Sequence, residues 1–119
     1  MKKILVIDDD PVLVKYLVSL FRNNGYETCQ AKDGHEGYEV LLREKPDLIT
    51  LDLQMEEEWG PRFYRKLSQN EEFKNTPVIV VSGLSGQHAI KKAVAFVSKP
   101  FDPDKLLGIV RSTIGLGGS

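Results

Sequence analysis

Five residues able to do chemistry sit just after four short apolar runs. Ile4 to Ile7 stops at Asp8-Asp9-Asp10, Leu48-Ile49-Thr50-Leu51 leads into Asp52, Val78 to Val81 closes on Ser82, and Phe96-Val97 runs on to Lys99-Pro100. An ionised Asp at the mouth of an apolar strand costs free energy unless a cation, a hydrogen-bond donor or a reaction partner accompanies it. The chain offers all three to Asp52: Asp8 and Asp9 to share a cation, the Ser82 hydroxyl as donor, and the Lys99 ammonium as counter-charge. Each residue also has a plainer reading. The acidic triplet before Pro11 suits a helix cap, and for Asp10 that reading is kept; Ser82 before Gly83 suits a turn, and Lys99 a solvated charge. The joint pattern favours a site, because a residue able to do chemistry follows each of the four runs.

Those runs need elements to hold them. Leu48, Ile49 and Leu51 form the nearly continuous apolar stretch of a strand covered on both faces, and Ile4–Ile7 and Val78–Val81 read the same way. Tyr26 to Ala31 is mixed in polarity, which suits an edge strand, with Asp33-Gly34 as the following turn. Between the strands lie helical patterns. Val12, Leu13, Tyr16, Leu17, Leu20 and Phe21 recur at helical spacing from Pro11 to a stop at Asn24-Gly25. Tyr38, Leu41 and Leu42 mark a second helix ending before Pro46; Gly60-Pro61 opens a third with Phe63 and Leu67 inward, followed by a polar loop from Ser68 to Asn75. Signals weaken from Leu84 to Val94, where a short fourth helix is expected; Leu106, Leu107, Val110 and Ile114 mark a last helix beginning near Asp102-Pro103. Strands alternating with helices predict an α/β fold: a doubly wound five-stranded parallel sheet with helices on both faces, its fourth helix short or irregular. In such sheets ligands bind at the carboxyl ends of the strands, where Asp8, Asp9, Asp52, Ser82 and Lys99 all fall.

Composition narrows the function classes. The 119 residues suit one domain with one core, spanning 1–119, with 115–119 expected as a frayed tail or the start of a linker. With 16 basic and 17 acidic residues the formal charge is −1, and no local basic cluster points to nucleic acid or a membrane surface. The apolar runs are too short to span a bilayer, and Met1-Lys2-Lys3 leads to no signal-peptide core, so a cytoplasmic location is expected. The single Cys29 reads as a buried small hydrophobe and not a reactive thiol, and His35 and His88 as surface residues.

Over essentially its whole length the chain resembles the receiver domains of two-component response regulators. The matching residues are Asp8-Asp9 after the first strand, Asp52 after the third, Ser82 after the fourth and Lys99-Pro100-Phe101 after the fifth, with Met55 and Gly60 fitting the loop beyond Asp52. The resemblance implies the flavodoxin-like strand order 2-1-3-4-5. It also implies Mg²⁺-dependent phosphorylation of Asp52 by a sensor histidine kinase or phosphotransfer protein, in a phosphoacceptor switch and not an enzyme. Asp9, Asp52 and the backbone carbonyl of Gln54 would hold the metal, with Asp8 acting through water. Ser82 and Lys99 would meet the phosphoryl oxygens, and Ser82 with Phe96 would form the switch pair. The output would lie in a domain beyond residue 119 or in a separate effector. Mg²⁺ suits the residues chemically: clustered carboxylates repel, and a hard divalent ion with oxygen ligands relieves that repulsion.

The chain departs from the receiver pattern in two places. The family usually has Pro after the Met and Asp before the Gly, where this chain has Glu56 and Trp59, and Glu56-Glu57-Glu58 adds charge beside an acidic site. The Ser82–Lys99 interval is also short, by something over one helical turn of about 3.6 residues. That shortfall falls on Leu84–Val94, the segment expected to be least stable and to become ordered on phosphorylation. Two rival readings remain: a phosphorylation-independent docking module of the same fold, and a small aspartyl-phosphate phosphatase. A flavin carrier is disfavoured, because Asp8-Asp9-Asp10 would repel a phosphate cradled after the first strand.

Overall fold

The computed structural model describes residues 1–53, 59–83 and 93–116, Trp59 by its backbone only. Its strands are β1 (Lys3–Ile7), β2 (Glu27–Ala31), β3 (Leu48–Leu51), β4 (Val78–Ser82) and β5 (Ala95–Ser98). Among the described residues the helices are α1 (Pro11–Arg22), α2 (Gly34–Glu44), α3 (Trp59–Gln69) and α4 (Pro103–Ile114). All neighbouring strands pair in parallel, in the order β2-β1-β3-β4-β5.

The sequence pattern follows from this layering. Side chains alternate across a strand, so strands covered on both faces are apolar at nearly every position, Thr50 of β3 being an exception. Ile4 and Val6 pack with Val14, Leu17 and Phe21 of α1 and Leu106, Leu107 and Val110 of α4. Leu5 and Ile7 pack on the opposite face with Val40 and Leu41 of α2 and Phe63 and Leu67 of α3. Strand β2 is the edge its mixed polarity predicts, with Glu27 and Gln30 exposed.

The starts of α1, α2 and α4 are set by aspartates. Asp10 accepts from the N–H groups of Val12 and Leu13, and Asp102 from that of Asp104, each just before a proline at the first helical position. Caps of this kind contribute about 1 kcal/mol each. Asp33 was expected in a turn; instead it caps α2, accepting from the Glu36 N–H at 2.7 Å.

The helical faces are shifted from those read in the sequence. Val12 and Tyr16 are exposed and Val14 is buried; likewise Leu42 is exposed and Val40 buried. Both helices carry more apolar residues than their contact stripe holds, so spacing alone could not choose among them. Phe73, inside the polar stretch expected to be a loop, is buried in the α2–α3 core. The helix expected over Leu84–Val94 falls mainly on residues 84–92, outside the described residues, and Ala93 and Val94 are not helical.

Candidate functional site

Three of the five chemistry-bearing residues, Asp8, Asp52 and Lys99, are positioned by the last hydrogen bonds of the sheet. Asp8 follows β1 and donates its N–H to Ala31 O at 3.2 Å; Asp52 follows β3 and donates to Ile7 O at 3.0 Å. Lys99 follows β5 and donates to Ser82 O at 3.0 Å. Each backbone is thus held one residue beyond its strand while the side chain projects into the mouth of the sheet. Between β1 and β3 the chain changes winding direction, and the acidic residues flank that crevice.

Strand register explains which residues meet. Ile7 lies opposite Leu51, so Asp8 and Asp52 emerge side by side. One carboxylate oxygen from each of Asp8, Asp9 and Asp52 lies within 4.8 Å of the others. Asp8 and Asp52 are only 3% and 2% exposed, whereas Asp9 opens to solvent. Lys99 Nζ lies 2.9 Å from Asp8 Oδ2 and 3.6 Å from Asp52 Oδ2. The other Asp8 oxygen accepts from the Asp10 N–H at 2.9 Å.

Burial raises the Asp8 pKa above the ordinary aspartate value; the Asp10 N–H and Lys99 pull it down, and nearby Asp52 pushes it up again. Burial by itself would lower the Lys99 pKa, but the hydrogen bond to Asp8 and the charges of Asp8 and Asp52 more than offset this. The net shift is upward, so Lys99 is held as an ammonium.

Ser82, 2% exposed, ends β4 beside Ser98 of β5. Phe96 pairs with Val80 and is partly buried against the α2–α3 core. Strand alternation therefore puts Ser82 and Phe96 on one face of the sheet, with Asp8, Asp52 and Lys99 toward the other. Gln54 and the glutamates 56–58 lie outside the described residues, as does His88; His35 is exposed and pairs with Glu39 at 3.1 Å. Cys29 is half-buried and not fully buried as expected, its thiol pushed up to about 11 chiefly by desolvation, which favours the protonated form at neutral pH.

Two features were not read from the sequence. Lys99 approaches Asp8 more closely than Asp52, and the Asp10 backbone supplies a donor to the cluster. The direct dependence of both on loop geometry leaves no spacing signal to find.

A doubly wound parallel sheet with three carboxylates and a lysine at its switch point defines the class of protein. The response regulator receiver domain model matches residues 4–111, and the chain belongs to that family. It is 40% identical over 109 residues to protein Rrf1 of Nitratidesulfovibrio vulgaris (strain Hildenborough), a match covering 91% of this chain and 79% of that one. It is 26% identical to the polar-differentiation response regulator DivK of Brucella anthropi, covering 96% and 97% of the two chains. Among solved structures, the receiver domain of a signal transduction histidine kinase from Syntrophus aciditrophicus matches with TM-score 0.86 at 27% identity, over 96% of this chain and 90% of that one. Chemotaxis protein CheY4 of Vibrio cholerae matches the fold with TM-score 0.86 at 24% identity, over 96% and 99% of the two chains. Receiver domains serve two-component signalling. No helix among the described residues is long and apolar enough to cross a membrane.

Proposed function

We propose that the chain is a phosphoacceptor switch in which Asp52 takes a phosphoryl group from the phosphohistidine of a sensor histidine kinase or phosphotransfer protein. The observation that carries this reading is the convergence of three carboxylates within 4.8 Å, two of them buried, with the Lys99 ammonium beside them. Among the described residues the Lys99 ammonium faces three carboxylates, a balance that a further cation would improve, and oxygen-only donors suit a hard ion such as Mg²⁺. Asp8, Asp9 and Asp52 would hold it, with the Gln54 carbonyl as a further proposed ligand. Bound there, the ion would neutralise charge on the phosphoryl oxygens.

The chain's own residues supply the rest. An Asp52 carboxylate oxygen attacks phosphorus as the phosphorus–nitrogen bond of the donor breaks, and the leaving imidazole nitrogen takes up a proton from solvent water. Lys99, an ammonium 3.6 Å from Asp52, sits where it can share charge with a phosphoryl oxygen. Asp8 holds Lys99 at 2.9 Å and thereby orients it. The Ser82 hydroxyl is the proposed sensor of the phosphoryl group and Phe96 the proposed output partner. Output would pass to a domain beyond residue 119 or to a separate effector.

Acetyl phosphate with Mg²⁺ should add one acid-labile phosphate, read by intact mass. An Asp52→Asn protein that still gained it would refute the assignment. An unaltered protein that stayed unmodified, and also bound no beryllofluoride, would favour the phosphorylation-independent docking module.

A further inference from the structure

We propose that Gly60 is a positioning residue for the Asp52 carboxylate, an inference that rests on the phosphoacceptor reading above. In its first turn, α3 meets the mouth of the sheet backbone to backbone. A Cβ at Gly60 would lie 2.8 Å from Leu53 Cα, 2.9 Å from the Asp52 carbonyl oxygen and 3.2 Å from the Leu53 carbonyl oxygen. A glycine inside a helix costs conformational entropy, and close backbone approach is one of the few things that justifies it.

Any side chain at position 60 must move one of the two partners. Helix α3 is the harder to move, because Phe63 and Leu67 on the same side are 0% and 1% exposed and locked into the core. Asp52 and Leu53 lie past the end of β3, where the Asp52 N–H to Ile7 O bond marks the last of the ladder. The displacement therefore falls on the main chain that carries the Asp52 carboxylate. Gly37 shows the contrast: a Cβ there approaches Ile7 Cδ1 at 2.7 Å, the tip of a side chain that can turn aside.

The test compares the unaltered protein, Gly60→Ala, and Gly60→Ala combined with Gly108→Ala. Around Gly108, in α4, nothing lies within 4 Å of an added Cβ, so alanine there strengthens the helix and restores melting temperature without touching the site. Since a misplacement of 1 Å can cost a hundredfold, a shift of about half that should slow phosphorylation by acetyl phosphate roughly tenfold. The Mg²⁺ dissociation constant, measured by calorimetric titration of the unphosphorylated proteins, should rise as well. Both effects should persist in the double variant after its melting temperature has recovered. A double variant with recovered stability and the unaltered rate and Mg²⁺ affinity would overturn the inference. So would a Gly60→Ala chain that folds in neither background, since glycine would then be needed by the fold and not specifically by the carboxylate. If the unaltered protein takes no phosphate, the phosphoacceptor reading fails, while the Mg²⁺ affinities still judge Gly60.

Discussion

Replacing Lys99 with methionine keeps most of the stem and removes only the ammonium, which isolates what that charge does for the fold. At an effective dielectric of about 20, the contacts at 2.9 Å and 3.6 Å correspond to about 6 and about 5 kcal/mol of attraction. Most of this is offset in the native protein by desolvating the ammonium and ordering its stem. The variant keeps the other side of the balance: two carboxylates only 3% and 2% exposed, beside Asp9 and with no cation. Removing one partner of a buried pair costs about 3–5 kcal/mol. Lys99 is 24% exposed, and the Asp8 carboxyl can take up a proton when its partner goes, so the lower end applies, about 3 kcal/mol. Urea unfolding at pH 7 in EDTA should therefore show a midpoint lower by about 1–3 M with an unchanged slope. Adding Mg²⁺ should recover more stability for the variant than for the unaltered chain, because the cation takes the place of the ammonium. A loss below about 0.5 kcal/mol would place Lys99 among ordinary surface ion pairs and mean that its charge does not hold the buried carboxylates.

Other outcomes follow from the same geometry. Mg²⁺ at about a hundred times its dissociation constant should stabilise the unaltered protein by about 2.7 kcal/mol. Asp9→Ala should abolish most of that gain at little cost to the metal-free fold, since Asp9 is exposed; a full Mg²⁺-induced rise in melting temperature in this variant would move the metal site elsewhere. Thr50 is 1% exposed and its hydroxyl has no hydrogen-bond partner among the described residues. Thr50→Val keeps the shape and removes an unpaired polar atom, so chemical denaturation should show stability unchanged or raised by about 1 kcal/mol; a loss of that size would mean the hydroxyl is satisfied.

What could be read from the sequence was what a single strand or helix end determines. A run covered on both faces is apolar nearly throughout, Thr50 being a buried exception, so β1, β3 and β4 declared themselves, and with them the residues Asp8, Asp52 and Ser82 at their ends. Asp10-Pro11 and Asp102-Pro103 mark helix starts by local chemistry alone. What depends on a partner in space was not legible. Choosing Val14 over Val12 for the core requires knowing where α4 lies, and burying Phe73 requires α2 and α3 to be packed already. The closeness of Gly60 to Asp52 is of the same kind: a glycine beside a proline reads as a helix start, and only the backbone contact shows why no larger residue stands there.

Strand alternation also bears on how a change at the mouth could leave it. Val97 packs on the α1–α4 face of the sheet and Phe96 on the α2–α3 face, while Lys99, two residues beyond Val97, reaches Asp8 and Asp52 on the first of these. Strand β5 therefore presents the proposed charge partner of the phosphoryl group to one side and the proposed output aromatic to the other. Ser82, opposite Ser98 in register and holding the Lys99 N–H through its own carbonyl, joins the two. A phosphoryl group that drew the Ser82 hydroxyl toward Asp52 would alter the space above Val80, which is the position Phe96 pairs with. Phe96 carries no hydroxyl to satisfy, so burial alone would decide where its ring rests. The coupling this predicts is short and steric. It runs through two adjacent strands and one change of face, and needs no longer chain of contacts across the core.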